Sequence, residues 1–149
     1  MSTIEIGKKA PAFSGNDQNG VKRTLKEFAG KKLVLYFYPK DDTPGCTAEA
    51  CDLRDNYKKF IAAGYAIVGV SPDEEKKHQK FISKYELPFD LLADTDHSIA
   101  EAFGVWVEKS MYGRQYMGIA RTTFVIDENG KIQDIISKVN TKDHSSQIL

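Results

Sequence analysis

The run Lys32-Leu33-Val34-Leu35-Tyr36-Phe37-Tyr38 constrains this chain most. So apolar, aromatic and branched a stretch is a strand that must be covered on both faces. It delivers the chain to Tyr38-Pro39-Lys40-Asp41-Asp42-Thr43-Pro44-Gly45, a string of turn formers. Thr47 to Phe60 follows, rich in Ala, Glu, Leu, Arg and Lys and free of Pro and Gly, and reads as a helix reaching about Ala62 and ending near Gly64. Asp42 or Thr43 is the expected N-cap, with Pro44 in the first turn, where its missing N–H costs nothing. Cys46 therefore falls in the first turn, just past the C-terminal end of a central strand, where open α/β sheets commonly place their sites.

The remaining elements alternate in the same way. Tyr65 to Ser71 reads as a second buried strand, Pro72-Asp73-Glu74 opens a helix to about Lys84, and Leu87 to Asp94 is a short extended segment. Ser98 to Phe103 is a short helix closed by Gly104. Strands 122–126 and 131–136 flank the hairpin turn Asp127-Glu128-Asn129-Gly130. The pattern is an α/β fold in which helices cover a mixed sheet. At 149 residues with 41% hydrophobic content, one domain spanning 1–149 is expected. Lys plus Arg and Asp plus Glu balance at 21 each, so no global field points to nucleic acid or an anionic membrane. No apolar run is long enough to span a bilayer, and Met1-Ser2-Thr3-Ile4-Glu5 lacks the regions of a signal peptide. The expected setting is cytoplasmic and reducing, where two cysteines serve catalysis or redox chemistry rather than a structural staple.

Cys46 and Cys51 are the only cysteines. At the helix N-terminus the unpaired N–H groups and the helix dipole favour a thiolate over a thiol. Residues five apart on a helix are separated by a rise of about 7.5 Å and point to different sides, which puts their Cα atoms roughly 8 to 9 Å apart. A disulfide needs about 7 Å or less. If the two pair, the first turns of the helix must unwind.

Several chemistries fit poorly. A thioredoxin-type reductase is expected to carry C-x-x-C where this chain has C-x-x-x-x-C. Zinc wants four clustered ligands, against two Cys and the scattered His78, His97 and His144. A cysteine hydrolase needs a general-base histidine; His97 or His78 can approach Cys46 in space, although each of the three reads as a solvated surface residue. No glycine-rich phosphate loop or dinucleotide fingerprint is present. Peroxide reduction asks only for donors that stabilise negative charge moving along the S–O–O axis. Thr43, three residues before Cys46, can offer its hydroxyl, and an arginine can fork two hydrogen bonds. Arg54, Arg114 and Arg121 are candidates beyond Arg23; Arg121 opens strand 122–126, whereas Arg54 is placed to pair with carboxylates of its own helix. Spacing alone does not select among them.

Tyr36-Phe37-Tyr38-Pro39-Lys40, Thr43-Pro44-Gly45-Cys46-Thr47, Glu49-Ala50-Cys51 and Leu53-Arg54-Asp55 resemble the peroxiredoxins of the bacterioferritin comigratory protein, or peroxiredoxin Q, type. Gly69 to Asp73, Phe103 to Trp106, Lys109 to Gly113 and Gly118 to Asp127 are similar to that family at matching order and spacing. The resemblance covers nearly the whole chain. It implies a thioredoxin-like fold with an N-terminal extension, and a thiol peroxidase that reduces hydrogen peroxide and organic hydroperoxides with thioredoxin as reductant. By the same resemblance Cys46 is the peroxidatic cysteine that becomes a sulfenic acid. Thr43 and Arg121 hold the peroxide and polarise the thiolate, and Pro39 and Pro44 wall the pocket. Cys51 is the resolving cysteine that closes a disulfide with Cys46. Some members carry that second cysteine in the following helix, where this sequence has none. No metal or organic cofactor is implied, and a monomer is expected.

Members generally end on a longer amphipathic helix, of which 140–149 supply only the beginning, so a frayed end is expected. The alternative to a peroxidase is a non-catalytic thiol redox sensor of the same fold. Turnover separates them: many cycles of peroxide consumption mark the enzyme, a single stoichiometric burst the sensor.

Overall fold

The computed structural model describes residues 4–149; Met1 to Thr3, part of the stretch read for a signal peptide, lie outside the described residues. The Lys32-to-Tyr38 run forms the central strand β3 (Lys32–Phe37), preceded by a small hairpin of β1 (Ser14–Asn16) and β2 (Lys22–Thr24) and a single 3-10 turn over Leu25–Phe28. After β3 come α1 (Pro44–Asp55), α2 (Tyr57–Ala62), β4 (Tyr65–Ser71), α3 (Glu75–Tyr85), β5 (Asp90–Ala93) and α4 (Ser98–Ala102). A second hairpin, β6 (Trp106–Met111) and β7 (Arg114–Ile119), leads to β8 (Thr122–Ile126), β9 (Ile132–Ile136) and the closing α5 (His144–Ile148). Five strands make one mixed sheet in the order β5-β4-β3-β8-β9, the thioredoxin-like arrangement with helices on both sides and a hairpin extension at the N-terminus.

Register explains why distant residues meet. β3 runs parallel to β4, from Lys32 opposite Tyr65 to Phe37 opposite Val70, and antiparallel to β8, with Phe37 opposite Thr122. The end of β3 therefore lies beside the start of β8. Whatever follows β3 and whatever precedes β8 share one edge of the sheet.

Alternate residues of β3 enter two cores, as a strand's period of two requires. Leu33, Leu35 and Phe37 pack with Phe13, Val70, Phe103, Phe124 and Ile126, under α4 and the N-terminal segment. Val34 and Tyr36, with Tyr38 just past the strand, pack with Cys46, Ala50, Leu53, Phe60, Phe81 and Leu91, under α1, α2 and α3. Cys46 thus belongs to the second core.

Three expectations are corrected. The helix expected to run to Ala62 is two helices: Asn56 breaks it, its side-chain amide donating to the Asp52 carbonyl at 2.9 Å in competition with the backbone ladder. The segment 106–119, given no strands above, is the β6–β7 hairpin, turned by Tyr112 and Gly113 at φ 53° and 77°, the left-handed pair a two-residue hairpin needs. The C-terminus, expected to fray, is tied down. The Ser145 N–H and hydroxyl both donate to the Asp52 carboxylate at 2.7 Å, His144 is fully buried, and Ile148 packs on the second core.

Candidate active site

Thr43 occupies the N-cap position of α1 in extended backbone, φ −98° and ψ 157°, and Pro44 is the first helical residue, as the turn chemistry dictates. The Thr43 carbonyl accepts the first helical bond, from Thr47 N–H at 2.8 Å, but its hydroxyl does not cap the helix. It donates instead to the Lys40 carbonyl at 2.8 Å. Cys46 follows two residues into the helix and is 2% exposed, whereas Cys51, further along the same helix, is half-buried; both are free thiols. Pro39 is half-buried and Pro44 exposed at the edge of the site.

Arg121 immediately precedes β8, so the register that sets Phe37 against Thr122 carries its guanidinium to the N-terminus of α1. Nη2 donates to Cys46 Sγ at 3.3 Å and Nη1 to Glu49 Oε1 at 2.7 Å, across separations of 75 and 72 residues. Gly45 eases the approach: a Cβ there would lie 3.1 Å from Arg121 Nη2, close enough that the guanidinium would have to give by a few tenths of an ångström. Burial works against the guanidinium charge, but the Cys46 sulfur and the Glu49 carboxylate outweigh it and hold its pKa above the ordinary value.

Glu49 was not singled out by the sequence reading, although its position three residues after Cys46 puts it on the same face of the helix. It is fully buried, and desolvation, partly offset by Arg121, pushes its pKa up to about 7. Its second oxygen, Oε2, has no hydrogen-bond partner; His144 Nε2 stands 3.5 Å away. Lys109 was not singled out either. It lies over Gly118, where a Cβ would come within 3.2 Å of its Cδ. Burial and the Arg121 charge depress its pKa, against the pull of Cys46.

The other candidates stand apart. Arg54 pairs with Asp55 on its own helix at 2.9 Å and donates to the Tyr85 carbonyl at 2.8 Å; Arg23 pairs with Asp17 at 2.9 Å; Arg114 is exposed in the β6–β7 hairpin. The histidines overturn their expected solvation. His78 is fully buried, with Nδ1 2.6 Å from Asp41 Oδ2 and Nε2 2.8 Å from the Leu92 carbonyl, and His144 is fully buried as well. His97 is half-buried and stacks on Trp106 with ring centroids 3.7 Å apart.

A thiol at a helix start, gripped by a guanidinium that a buried carboxyl group holds in place, marks a thioredoxin-fold protein whose cysteine lies beside a fixed positive charge. The model of the AhpC/TSA family matches residues 6–135, and the chain belongs to that family. Within it the chain is a peroxiredoxin of the Bcp, or Q, type, as its relatives make plain. It is 50% identical over 147 residues to Peroxiredoxin Bcp of Bacillus subtilis, covering 99% of this chain and 94% of that protein. It is 44% identical over 149 residues to Peroxiredoxin Bcp of Escherichia coli, covering 100% and 96%. Among solved structures, a peroxiredoxin Q of Xanthomonas campestris superposes with a TM-score of 0.89 at 38% identity, over 96% of this chain and 93% of that one. A structure of the Bacterioferritin Comigratory Protein of Xanthomonas campestris, 37% identical with a TM-score of 0.89 over 97% and 94%, was described in terms of that protein's alkyl peroxide reduction activity. A cysteine-to-serine mutant of Xylella fastidiosa PrxQ gives 0.92 at 31% identity, over 99% and 94%.

Proposed function

We propose that this peroxiredoxin reduces hydrogen peroxide and organic hydroperoxides at Cys46. The Cys46 thiolate attacks the terminal oxygen of the hydroperoxide and an S–O bond forms as the O–O bond breaks. The hydroxide or alkoxide that leaves with the bonding electrons takes a proton from solvent. Cys46 is left as a sulfenic acid. The observation that carries this reading is the forked Arg121, which reaches Cys46 Sγ at 3.3 Å with one nitrogen while Glu49 anchors the other. Charge moving from sulfur to the departing oxygen stays beside a donor that need not reorganise. The Thr43 hydroxyl has committed its proton to Lys40, so its oxygen accepts the O–H of the bound hydroperoxide. Pro39 and Pro44 border the pocket and shield the sulfenic acid from water. Organic hydroperoxides are supported by the alkyl peroxide reduction described for the Xanthomonas relative.

Cys51 then attacks the sulfenic sulfur, releasing water and closing an intramolecular disulfide. A thioredoxin-type dithiol reduces it, becoming a disulfide itself. The chain works as a monomer in the reducing cytoplasm, a setting suited to two free thiols. No helix among the described residues is long and apolar enough to cross a membrane.

Intact mass after one equivalent of peroxide tests the assignment. The native chain should lose two hydrogens, the Cys51→Ser variant should gain one oxygen, and the Cys46→Ser variant should do neither. An assay coupled to thioredoxin, thioredoxin reductase and NADPH should run for many turnovers. A burst that stops after one equivalent would make the chain a sensor instead.

A further inference from the structure

Four non-glycine residues among those described hold a positive φ: Asp42, Glu86, His97 and Tyr112. Glu86, His97 and Tyr112 sit at the end of α3, the start of α4 and the tip of the β6–β7 hairpin. Asp42, at φ 58°, lies one residue before Thr43 in the loop that leads to Cys46. A side chain adopts this left-handed conformation at a cost, and keeps it only where the surroundings over-determine it. Here both neighbours are fixed. Asp41 is buried, with its carboxylate bonded to Tyr38 and His78 and its N–H donated to Asp73 at 2.7 Å. Thr43 is in extended backbone, and its carbonyl closes the first turn of α1. The single residue between them has to reverse the chain.

Asp42 was a candidate N-cap by sequence, yet its carboxylate turns away from α1 to the end of α3. Oδ1 accepts the Tyr85 hydroxyl at 2.7 Å and Oδ2 the Lys84 ammonium at 2.8 Å. An exposed ion pair alone holds little, but the Tyr85 hydroxyl adds a charge-assisted bond to the same carboxylate. Tyr85 is itself anchored. Its ring packs edge-on against Phe81 with centroids 5.4 Å apart, and its carbonyl accepts Arg54 Nη1 at 2.8 Å. The end of α3 therefore grips the loop ahead of Cys46 and the helix that carries Cys46 at once. What the reversed residue secures is the Thr43 hydroxyl, which leaves α1 uncapped and donates to the Lys40 carbonyl at 2.8 Å, on the far side of Asp42. A positive φ at the third residue of a turn brings its first and fourth residues together. We propose that Asp42 is a positioning residue for peroxide reduction: fastened to Lys84 and Tyr85 in a left-handed conformation, it keeps the Lys40 carbonyl on the Thr43 proton, and so keeps the Thr43 oxygen free to accept the hydroperoxide O–H. Once Asp42 is released, Thr43 can turn its oxygen to the first-turn N–H groups as an ordinary N-cap, and the peroxide loses its acceptor. Helix α3 thereby takes part in the site without touching the substrate. The inference rests on the reading of Cys46 and Thr43 proposed above.

The test is the second-order rate constant for Cys46 oxidation by hydrogen peroxide, followed by stopped flow. Dividing it by the thiolate fraction read from ultraviolet absorbance removes any effect of changed charge on the sulfur. Asp42→Ala loses both the fastening and the tolerance of positive φ, and should lower the corrected rate about tenfold. Asp42→Asn keeps an acceptor for Tyr85 and a side chain at home in the left-handed region, and should recover most of that loss. Lys84→Met combined with Tyr85→Phe leaves Asp42 in place but unfastened, and should lower the rate about threefold. Each change is then repeated with Thr43→Val, which has no hydroxyl to position. In that background Asp42→Ala and the α3 double variant should each alter the rate by less than about twofold. General loosening of the loop would instead lower it by the same factor in both backgrounds. Asp42→Ala at the native rate, or an equal fall with and without the Thr43 hydroxyl, overturns the inference. If Asp42→Ala does not fold, the α3 double variant in the two backgrounds decides it. Thr43→Val oxidised at the native rate is a separate failure, which removes the role proposed for Thr43 and that of Asp42 with it. Oxidation that persists at the native rate in Cys46→Ser would overturn the assignment of the thiol itself.

Discussion

Arg121 holds two partners at once, and only a planar fork can do so. A lysine in its place keeps the charge but offers one ammonium to two acceptors that lie on different arms of the guanidinium, Cys46 Sγ and Glu49 Oε1. Arg121→Lys should therefore lower kcat/KM for hydrogen peroxide about a hundredfold, read by stopped-flow oxidation of Cys46, with the circular dichroism spectrum unchanged. A fall of less than about threefold would mean the fork is not what stabilises the transition state. His78 carries a different burden. Its partner Asp41, 2.6 Å away and two residues ahead of Thr43, also accepts the Tyr38 hydroxyl at 2.6 Å, and the Asp41 N–H donates to Asp73 at 2.7 Å. His78→Leu strands a buried carboxylate and should cost about 3 kcal/mol in urea unfolding. Cys46 and Arg121, which the structure brings together, were legible because helix position and family spacing mark them, whereas Thr43 was legible as the residue that opens the helix and its hydroxyl turns to the Lys40 carbonyl instead. His78, His144 and Glu49 were not: a polar residue on a helix reads as solvated unless its partner is known, and these partners lie on other elements.

Helix α1 contains both thiols without a break, from Pro44 to Asp55, so the geometry inferred from five-residue spacing applies to it directly. Closing the disulfide has to unwind its first turns, and those turns are held from outside. Asp52, next to Cys51, receives the Ser145 N–H and hydroxyl of α5, while Glu49 stands before His144. Oxidation with one equivalent of peroxide should speed amide exchange over 46–52 and over 144–148 together, measured by mass spectrometry; protection unchanged in α5 would show that the latch stays shut. Ser145→Ala removes the hydroxyl contacts to Asp52 and leaves the backbone one; it should cost about 1 kcal/mol while accelerating disulfide closure from the sulfenic acid. The main elements were readable for the reason the latch was not. β3, α1 and the β8–β9 hairpin announce themselves by periodicity, Pro44 and Asn129-Gly130. The β6–β7 ribbon has mostly exposed residues on both faces and turns on Tyr112-Gly113, so it shows neither clean alternation nor the favoured turn pair.

Over the whole molecule, a buried carboxyl beside the reactive thiol sets stability against charge. Glu49 titrates near 4.5 in an unfolded chain and at about 7 when folded. Below 4.5 both states hold the proton and nothing is lost. As pH rises from 4.5 to about 7 the unfolded chain releases a proton that the native state keeps, so stability falls, by about 3 kcal/mol at completion. His144 works in the opposite sense, since its depressed pKa lets the unfolded chain take up a proton below 6.5 that the native ring refuses. The two slopes therefore oppose each other in mild acid, and between 6.5 and about 7 the Glu49 slope stands alone. Glu49→Gln deletes that slope while its amide oxygen still accepts from Arg121. Relative to the native chain its urea midpoint should rise between about pH 5 and about pH 8, the reverse of what loss of a buried salt bridge alone would give. An amide at 49 also imitates the protonated acid. The same variant should keep the native low-pH peroxide rate through about pH 8, gaining stability without losing speed; a rate that collapses instead would assign catalysis to the ionised carboxylate.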